Sequence, residues 1–94
     1  MDPIPSLELI EANHSFPGQY RIKAIGSTGD DFVGRVLAAT ASEISGPSEV
    51  ESSVRKTQGG RHVAITLDVT VQTAEQVRAI YARLHREPGL TLLF

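Results

Sequence analysis

The three histidines are the side chains of this chain best suited to bind a metal or to transfer protons near neutral pH. His14, His62 and His85 share no ligand spacing. His62 and Asp68 point to one side of the same predicted strand, but a rise of roughly 3.3 Å per residue separates them by about 20 Å. We therefore expect no metal site and no acid–base couple, and we interpret His85 as a dipole partner at a helix C-terminus.

A serine pair and a Ser-Thr-Gly turn are the other candidates, for nucleophilic catalysis and for phosphate binding, and each lacks the accompanying residues that its chemistry requires. Ser52 and Ser53 have no base within a reach that the sequence predicts, so a serine nucleophile is not supported. The tripeptide Ser27-Thr28-Gly29 lacks the glycine-rich loop and the lysine of phosphate binders and is interpreted as a turn. Because the chain has no cysteine, thiol catalysis and disulfides are excluded. We expect a non-catalytic protein without a cofactor.

Length and composition indicate one folded, soluble domain. The chain has 94 residues, of which 40% are hydrophobic and 21% charged. A net charge of -2 supplies no field that would gather polyanions, which argues against nonspecific binding to nucleic acid or to acidic membranes. The N-terminus lacks the features of a signal peptide, and no apolar run approaches the roughly 20 residues that cross a bilayer. We expect a cytoplasmic protein.

A half-buried strand followed by a helix is the clearest structural signal. Apolar residues occupy every second position from Val63 to Val71, with polar or small residues between them. A helix then begins at Thr73 and is stopped by Glu87-Pro88-Gly89. Gln76 follows Thr73 by three positions, so each side chain can satisfy the other's free backbone donor. The apolar stripe of this helix consists of Val77, Ile80, Tyr81 and Leu84.

The same succession of strand and helix occurs earlier in the chain. Alternation from Gln19 to Gly26 predicts a first strand. After the turn, Asp30 and Asp31 are suited to cap a helix and to face the positive end of its dipole. That helix ends near Ser45-Gly46-Pro47. Its apolar face consists of Val33, Val36, Leu37, Thr40 and Ile44.

Two more strands and an N-terminal arm complete the predicted organisation. A strand with a thin apolar face runs from about Glu49 to Thr57 and is typical of a sheet edge. Gly59-Gly60 favours a hairpin turn because both glycines can adopt positive φ. Residues 90–94 form a short last strand. Residues 1–17 are expected to be a flexible arm before a domain of residues 18–94. A short helical turn in the arm would present Leu7, Leu9, Ile10 and Ala12.

The predicted element order is therefore β-α-β-β-α-β. Each β-α-β half closes right-handed and each helix has one apolar stripe, so both helices should cover one face of a four-stranded antiparallel sheet. This α+β arrangement is the ferredoxin-like sandwich. Its other sheet face stays open, and we expect that open face to be the functional surface.

Four segments carry a family resemblance: residues 15–17 (SFP), the strand at 20–26, the hairpin into residues 62–67 and the helix at 73–81. In order and spacing they resemble the YbeD-like family (DUF493, UPF0250) of small uncharacterised bacterial proteins. The resemblance covers roughly residues 15–94. It implies a ferredoxin-like fold similar to ACT domains, which are regulatory modules that bind amino acids at subunit interfaces, and it implies no established activity.

The resemblance also implies a ligand loop after the first strand. It comprises Gly26, Ser27, Thr28, Gly29 and Asp30. ACT domains have a Pro-Gly pair in this loop, where backbone amides meet the ligand, whereas this chain has two adjacent aspartates. Those carboxylates would repel the carboxylate of an amino acid.

The hairpin turn predicts which residues face each other on the two sides of the sheet. With Gly59 and Gly60 in the turn, Glu51 and Asp68 lie opposite each other as like charges on the open face. Arg21 and Lys23 on the neighbouring strand are expected to neutralise them. The other predicted pairs are Val54 with Ile65, Val50 with Val69, Arg55 with Ala64, and Ser53 with Thr66.

Three interpretations of the open face remain. It is an ordinary solvated surface of mixed charge, a site for a cation or a basic partner, or a basic stripe for RNA formed by Arg21, Lys23, Arg55 and Arg61. The last lacks stacking aromatic residues on the central strands, which argues against nucleic acid.

We expect a regulatory or protein-interaction domain that binds an unknown protein or a second copy of itself through the open face, where Ile25 and Leu93 add apolar surface. The alternative is an ACT-like sensor of a small molecule such as an amino acid. The interaction face consists of Arg21, Lys23, Arg55, Thr66 and Asp68.

Overall fold

A computed structural model describes residues 4–44, 49–57 and 59–94. The elements are α1 (Leu7–Asn13), β1 (Gly18–Ser27), α2 (Phe32–Ser42), β2 (Val50–Lys56), β3 (His62–Val71), α3 (Ala74–Leu84) and β4 (Leu90–Leu93). The strands form one antiparallel sheet in the order β2-β3-β1-β4. Helices α2 and α3 contact each other and the same face of the sheet, as the ferredoxin-like prediction requires. No described helix combines the length and the apolar composition needed to span a bilayer.

The core lies between the helices and the sheet because the strands present alternate residues to the helices. All five apolar residues of the alternating β3 pattern and the whole predicted stripe of α3 are buried. In α2, Val36 and Thr40 are buried as predicted, and the Thr40 hydroxyl donates to the Val36 carbonyl at 2.8 Å. The pattern missed Phe32 and Ala39, which are also buried. The predicted end of this helix, at residues 45–47, lies outside the described residues.

Helix α1 lies within the segment that the sequence assigned to a flexible arm. Ser6 caps it by accepting a hydrogen bond from the Leu9 N–H at 3.1 Å. Ile10 is buried in the core, whereas Leu9, which the predicted stripe included, is 58% exposed. The segment thus contributes to the core through Ile10. The division of the chain at residue 17 stays a prediction.

Two predicted helix caps differ in the structure. Asp30 and Asp31 both adopt left-handed backbone conformations, with φ of 53° each, and the Asp31 side chain makes no capping hydrogen bond. At α3 only half of the capping box forms. Thr73 accepts from the Gln76 N–H at 3.2 Å, but the Gln76 side chain accepts from the Gln72 N–H at 2.8 Å and not from Thr73.

The β2–β3 hairpin has the predicted register, and all five predicted pairs are confirmed. Gly59 and Gly60 have positive φ values of 91° and 71°, as the turn requires. Since a shift of one residue would turn every side chain to the other face, this register decides what the open face displays.

Candidate functional site

One row of charged residues crosses three strands of the open face. Arg21 on β1 lies opposite Asp68 on β3, which lies opposite Glu51 on β2. Arg21 donates from Nε to Asp68 Oδ1 at 2.8 Å and from Nη2 to Oδ2 at 3.1 Å. These hydrogen bonds lower the pKa of Asp68 and raise that of Arg21. The predicted neutralisation of Asp68 is thus confirmed for Arg21.

Lys23 does not join that charged row. It lies opposite Thr66, which in turn lies opposite Ser53. Arg55 lies on the outer strand, opposite Ala64. Among the described residues, neither Lys23 nor Arg55 has an ion-pair partner. The open face therefore presents two cations that no carboxylate of the described chain neutralises.

These two cations line a shallow groove on the open face. The groove has a volume of about 410 Å³. Three of the five predicted interaction residues line it, while Arg21 and Asp68 are engaged with each other beside it. The lining residues are Lys23, Ser53, Val54, Arg55, Ala64 and Thr66.

An apolar strip lies next to this groove, on the β4 side of the sheet. Leu92 pairs with Ile25, and the Phe94 backbone exchanges hydrogen bonds with that of Lys23. Leu92 is 53% exposed and Phe94 is 59% exposed. Leu93, which the sequence placed on the open face, instead packs against the core. The sequence missed Leu92 and Phe94 because β4 is too short for its pattern to show which side faces inward.

A second concavity lies between the β1–α2 loop and the edge strand β2. It has a volume of about 290 Å³, and Ser27, Thr28 and Gly29 of the predicted ligand loop line it. Asp31 and Lys56 place opposite charges on its wall. Gly26 and Asp30 of the predicted loop do not line the cleft. Gly26 lies in β1, where Phe32 leaves no room for a side chain. The remaining lining residues are Phe32, Val33, Val54 and Val63.

Arg35 and Thr28 hold the loop in place. The Arg35 guanidinium donates to the carbonyl of Asp30 at 2.9 Å and to that of Pro88 at 3.1 Å, and it contacts Glu87 at 3.4 Å. The Thr28 hydroxyl donates to the carbonyl of Gly60 at 2.8 Å. The loop is thereby tied both to the α3–β4 turn and to the β2–β3 hairpin.

His14 belongs to a small aromatic cluster beside β1. His14 packs against the ring of Tyr20 with centroids 4.4 Å apart, and Tyr20 meets Tyr81 edge to face. Burial raises the pKa of Tyr81, and its interaction with Tyr20 acts in the same direction. Within residues 4–44, 49–57 and 59–94, no group of three metal-ligating side chains occurs.

Comparisons with known proteins show which family model and which relatives the sequence of this chain matches. A family model described as "Protein of unknown function (DUF493)" matches residues 11–94. A "UPF0250 protein" of Chromobacterium violaceum is 29% identical over 78 residues, which cover 83% of this chain and 88% of the relative. A protein of the same name from Shewanella woodyi is 30% identical over 75 residues, covering 80% and 83%. Another, from Shewanella piezotolerans, is 27% identical over the same length.

Proposed function

This chain belongs to the DUF493 family, which is described as proteins of unknown function, and we propose that it is a non-catalytic interaction domain that binds another protein through its open sheet face. The observation that carries this proposal is the apolar strip of Ile25, Leu92 and Phe94. Leu92 and Phe94 are exposed and Ile25 is partly buried, on a face that no element of the described chain covers.

The chemistry of the face indicates what kind of partner fits. Lys23 lies beside Phe94, and Arg55 lies across the groove, both without a carboxylate partner in the described chain. A complementary surface places an apolar side chain against Leu92 and acidic residues against these cations. We therefore infer an acidic protein surface with an apolar centre as the partner.

A matched pair of variants tests the open face. The double variant Lys23→Glu with Leu92→Ser reverses one charge and removes one exposed leucine from this face. The control, Arg83→Glu with Leu9→Ser, makes the same chemical changes at exposed positions in the helices. Both are compared with the unmodified chain as bait in a bacterial lysate, with and without nuclease treatment.

We expect the unmodified chain and the control to retain the same protein, and the open-face variant to lose it. The retained protein should also dissociate as the salt concentration is raised, because salt screens the attraction between Lys23 and the acidic residues of the partner. Equal capture by both variants would contradict the proposal. Capture that disappears on nuclease treatment would assign the face to nucleic acid instead.

The cleft beside β2 favours a second candidate, an ACT-like sensor of an amino acid. Its wall carries Lys56 and Asp31, and these charges match the carboxylate and the ammonium of a zwitterion. We expect an amino acid that binds there to move backbone NMR resonances of residues 26–34. A panel of amino acids that leaves those resonances in place would remove this candidate and leave the open face unaffected.

A further inference from the structure

The outer strand β2 is the most exposed element of the sheet. All its residues from Glu51 to Lys56 are exposed, although its partner strand β3 is buried on one side. Val54 is the clearest case, because it points toward the helix side, lies opposite the fully buried Ile65 and is still 48% exposed. An inward-facing valine this exposed indicates that the described residues, 4–44, 49–57 and 59–94, do not fully cover the edge of the sheet.

The hydrogen-bonding direction of β2 follows from one contact at the hairpin. The Thr57 N–H donates to the His62 carbonyl at 2.9 Å, so the backbone groups of Thr57 face β3. In an antiparallel ladder these groups alternate along the strand. The N–H and C=O groups that face away from the sheet are therefore those of Val50, Ser52, Val54 and Lys56.

We propose that two copies of this chain associate by antiparallel pairing of their β2 edges, with Ser53 of each copy on the two-fold axis. This register overlaps β2 along its whole length and brings the outward backbone groups of Val54 opposite those of Ser52 of the second copy. It also pairs Glu51 of each copy with Arg55 of the other on the open face. The strand is thus complementary in charge to a second copy of itself.

Burial of Val54 supports the same register. Across a two-fold axis at Ser53, each Val54 lies directly opposite Ser52 of the other copy on the helix side, so the second strand covers part of the exposed valine. Lys56, a charged residue typical of edges that avoid pairing, falls at the end of the overlap, where its ammonium can reach solvent. The pairing uses the β2 edge and engages Arg55, one of the two cations of the open face. The proposed function is tested at Lys23 and Leu92, which lie outside the pairing, so failure of one proposal is distinguishable from failure of the other.

Charge exchange tests the register. We expect sedimentation velocity of the unmodified chain to show a dimer fraction that rises with concentration. Glu51→Arg alone and Arg55→Glu alone each place like charges opposite one another twice per dimer, and each should weaken dimerisation about tenfold. The double variant exchanges the charges and should recover most of the loss. A monomer at all concentrations up to the millimolar range, or no recovery in the double variant, would overturn the proposal.

Cysteine cross-linking provides a test that does not depend on charge, since the chain has no native cysteine. Facing residues of a pair without mutual hydrogen bonds have Cα atoms about 4.5 Å apart, within the range that a disulfide spans. Ser53→Cys should therefore form a covalent dimer under mild oxidation. Ser52→Cys is the matched control, because it is exposed on the same strand but points to the other face. Equal or faster cross-linking at position 52 would refute a two-fold axis at Ser53.

Discussion

Arg21 and Asp68 face each other across β1 and β3 and form two hydrogen bonds, at 2.8 and 3.1 Å. The contact gives Asp68 a counter-charge that Glu51, its other neighbour across the sheet, cannot supply. The contact with Arg21 therefore offsets the repulsion between the adjacent carboxylates of Asp68 and Glu51. Arg21 is thus already paired, whereas Lys23 and Arg55 remain available to a partner.

The pH dependence of this pair has a definite sign. Hydrogen bonding from Arg21 lowers the pKa of Asp68 in the folded state. The pair's contribution to stability is complete above the pKa of Asp68 in the unfolded chain and is lost as pH falls through the lower folded value. In Arg21→Gln we expect the pKa of Asp68 to rise, as measured by NMR titration of its carboxyl carbon.

Lys23→Gln is the control for that titration, because Lys23 lies on the same strand and face but opposite Thr66. It should leave the Asp68 midpoint close to that of the unmodified chain. A midpoint in Arg21→Gln equal to that of the unmodified chain would show that the hydrogen bonds do not persist in solution.

Gly26 has no room for a side chain. A Cβ atom there would lie 2.6 Å from the Gly89 carbonyl oxygen and would overlap the ring of Phe32. We expect Gly26→Ala to lower the free energy of unfolding by about 1–3 kcal/mol, because the buried ring and the start of β4 must move. Urea denaturation measures this loss. Gly29→Ala is the control, since nothing lies within 4 Å of its Cβ position, and it should be nearly neutral.

Ile10 connects helix α1 to the core. Its truncation to alanine leaves a cavity under α1, and we expect the free energy of unfolding to fall by about 2–5 kcal/mol. Leu9→Ala, next to it but exposed, should change stability by less than about 0.5 kcal/mol. Chemical denaturation of the two variants compares them directly. If both are neutral, residues 1–17 behave as the flexible arm that the sequence predicts.

Arg35 joins the β1–α2 loop to the turn before β4 through two backbone carbonyls. Lysine keeps the charge but cannot reproduce the planar, forked set of donors. We expect Arg35→Lys to cost about 1–2 kcal/mol of stability and to speed amide exchange at residues 28–31 and 87–90. Hydrogen-exchange mass spectrometry measures the effect, with the exposed Arg83→Lys as control. Unchanged exchange in both segments would mean that Arg35 does not hold the loop.

The sequence by itself determined the core side of β3 and the register of the β2–β3 hairpin. The alternation from Val63 to Val71 assigns one side of β3 to the core, and the glycine pair at the hairpin aligns β2 with it. The stripe of α3 follows from a period of 3.6 residues in the same way. These features are local or periodic in the sequence, so they can be predicted without knowledge of the rest of the fold.

Only the tertiary structure decided which residues meet across distant segments. The Gln76 side chain accepts from the Gln72 N–H and also donates, at 3.1 Å, to the carbonyl of Glu43, the residue at the C-terminal end of α2. Ile10 is buried because α1 packs on α3, and Phe94 reaches Lys23 because β4 pairs with β1 past a register shift. Each of these contacts depends on how separate elements pack, and packing geometry leaves no period in the chain from which it could be predicted.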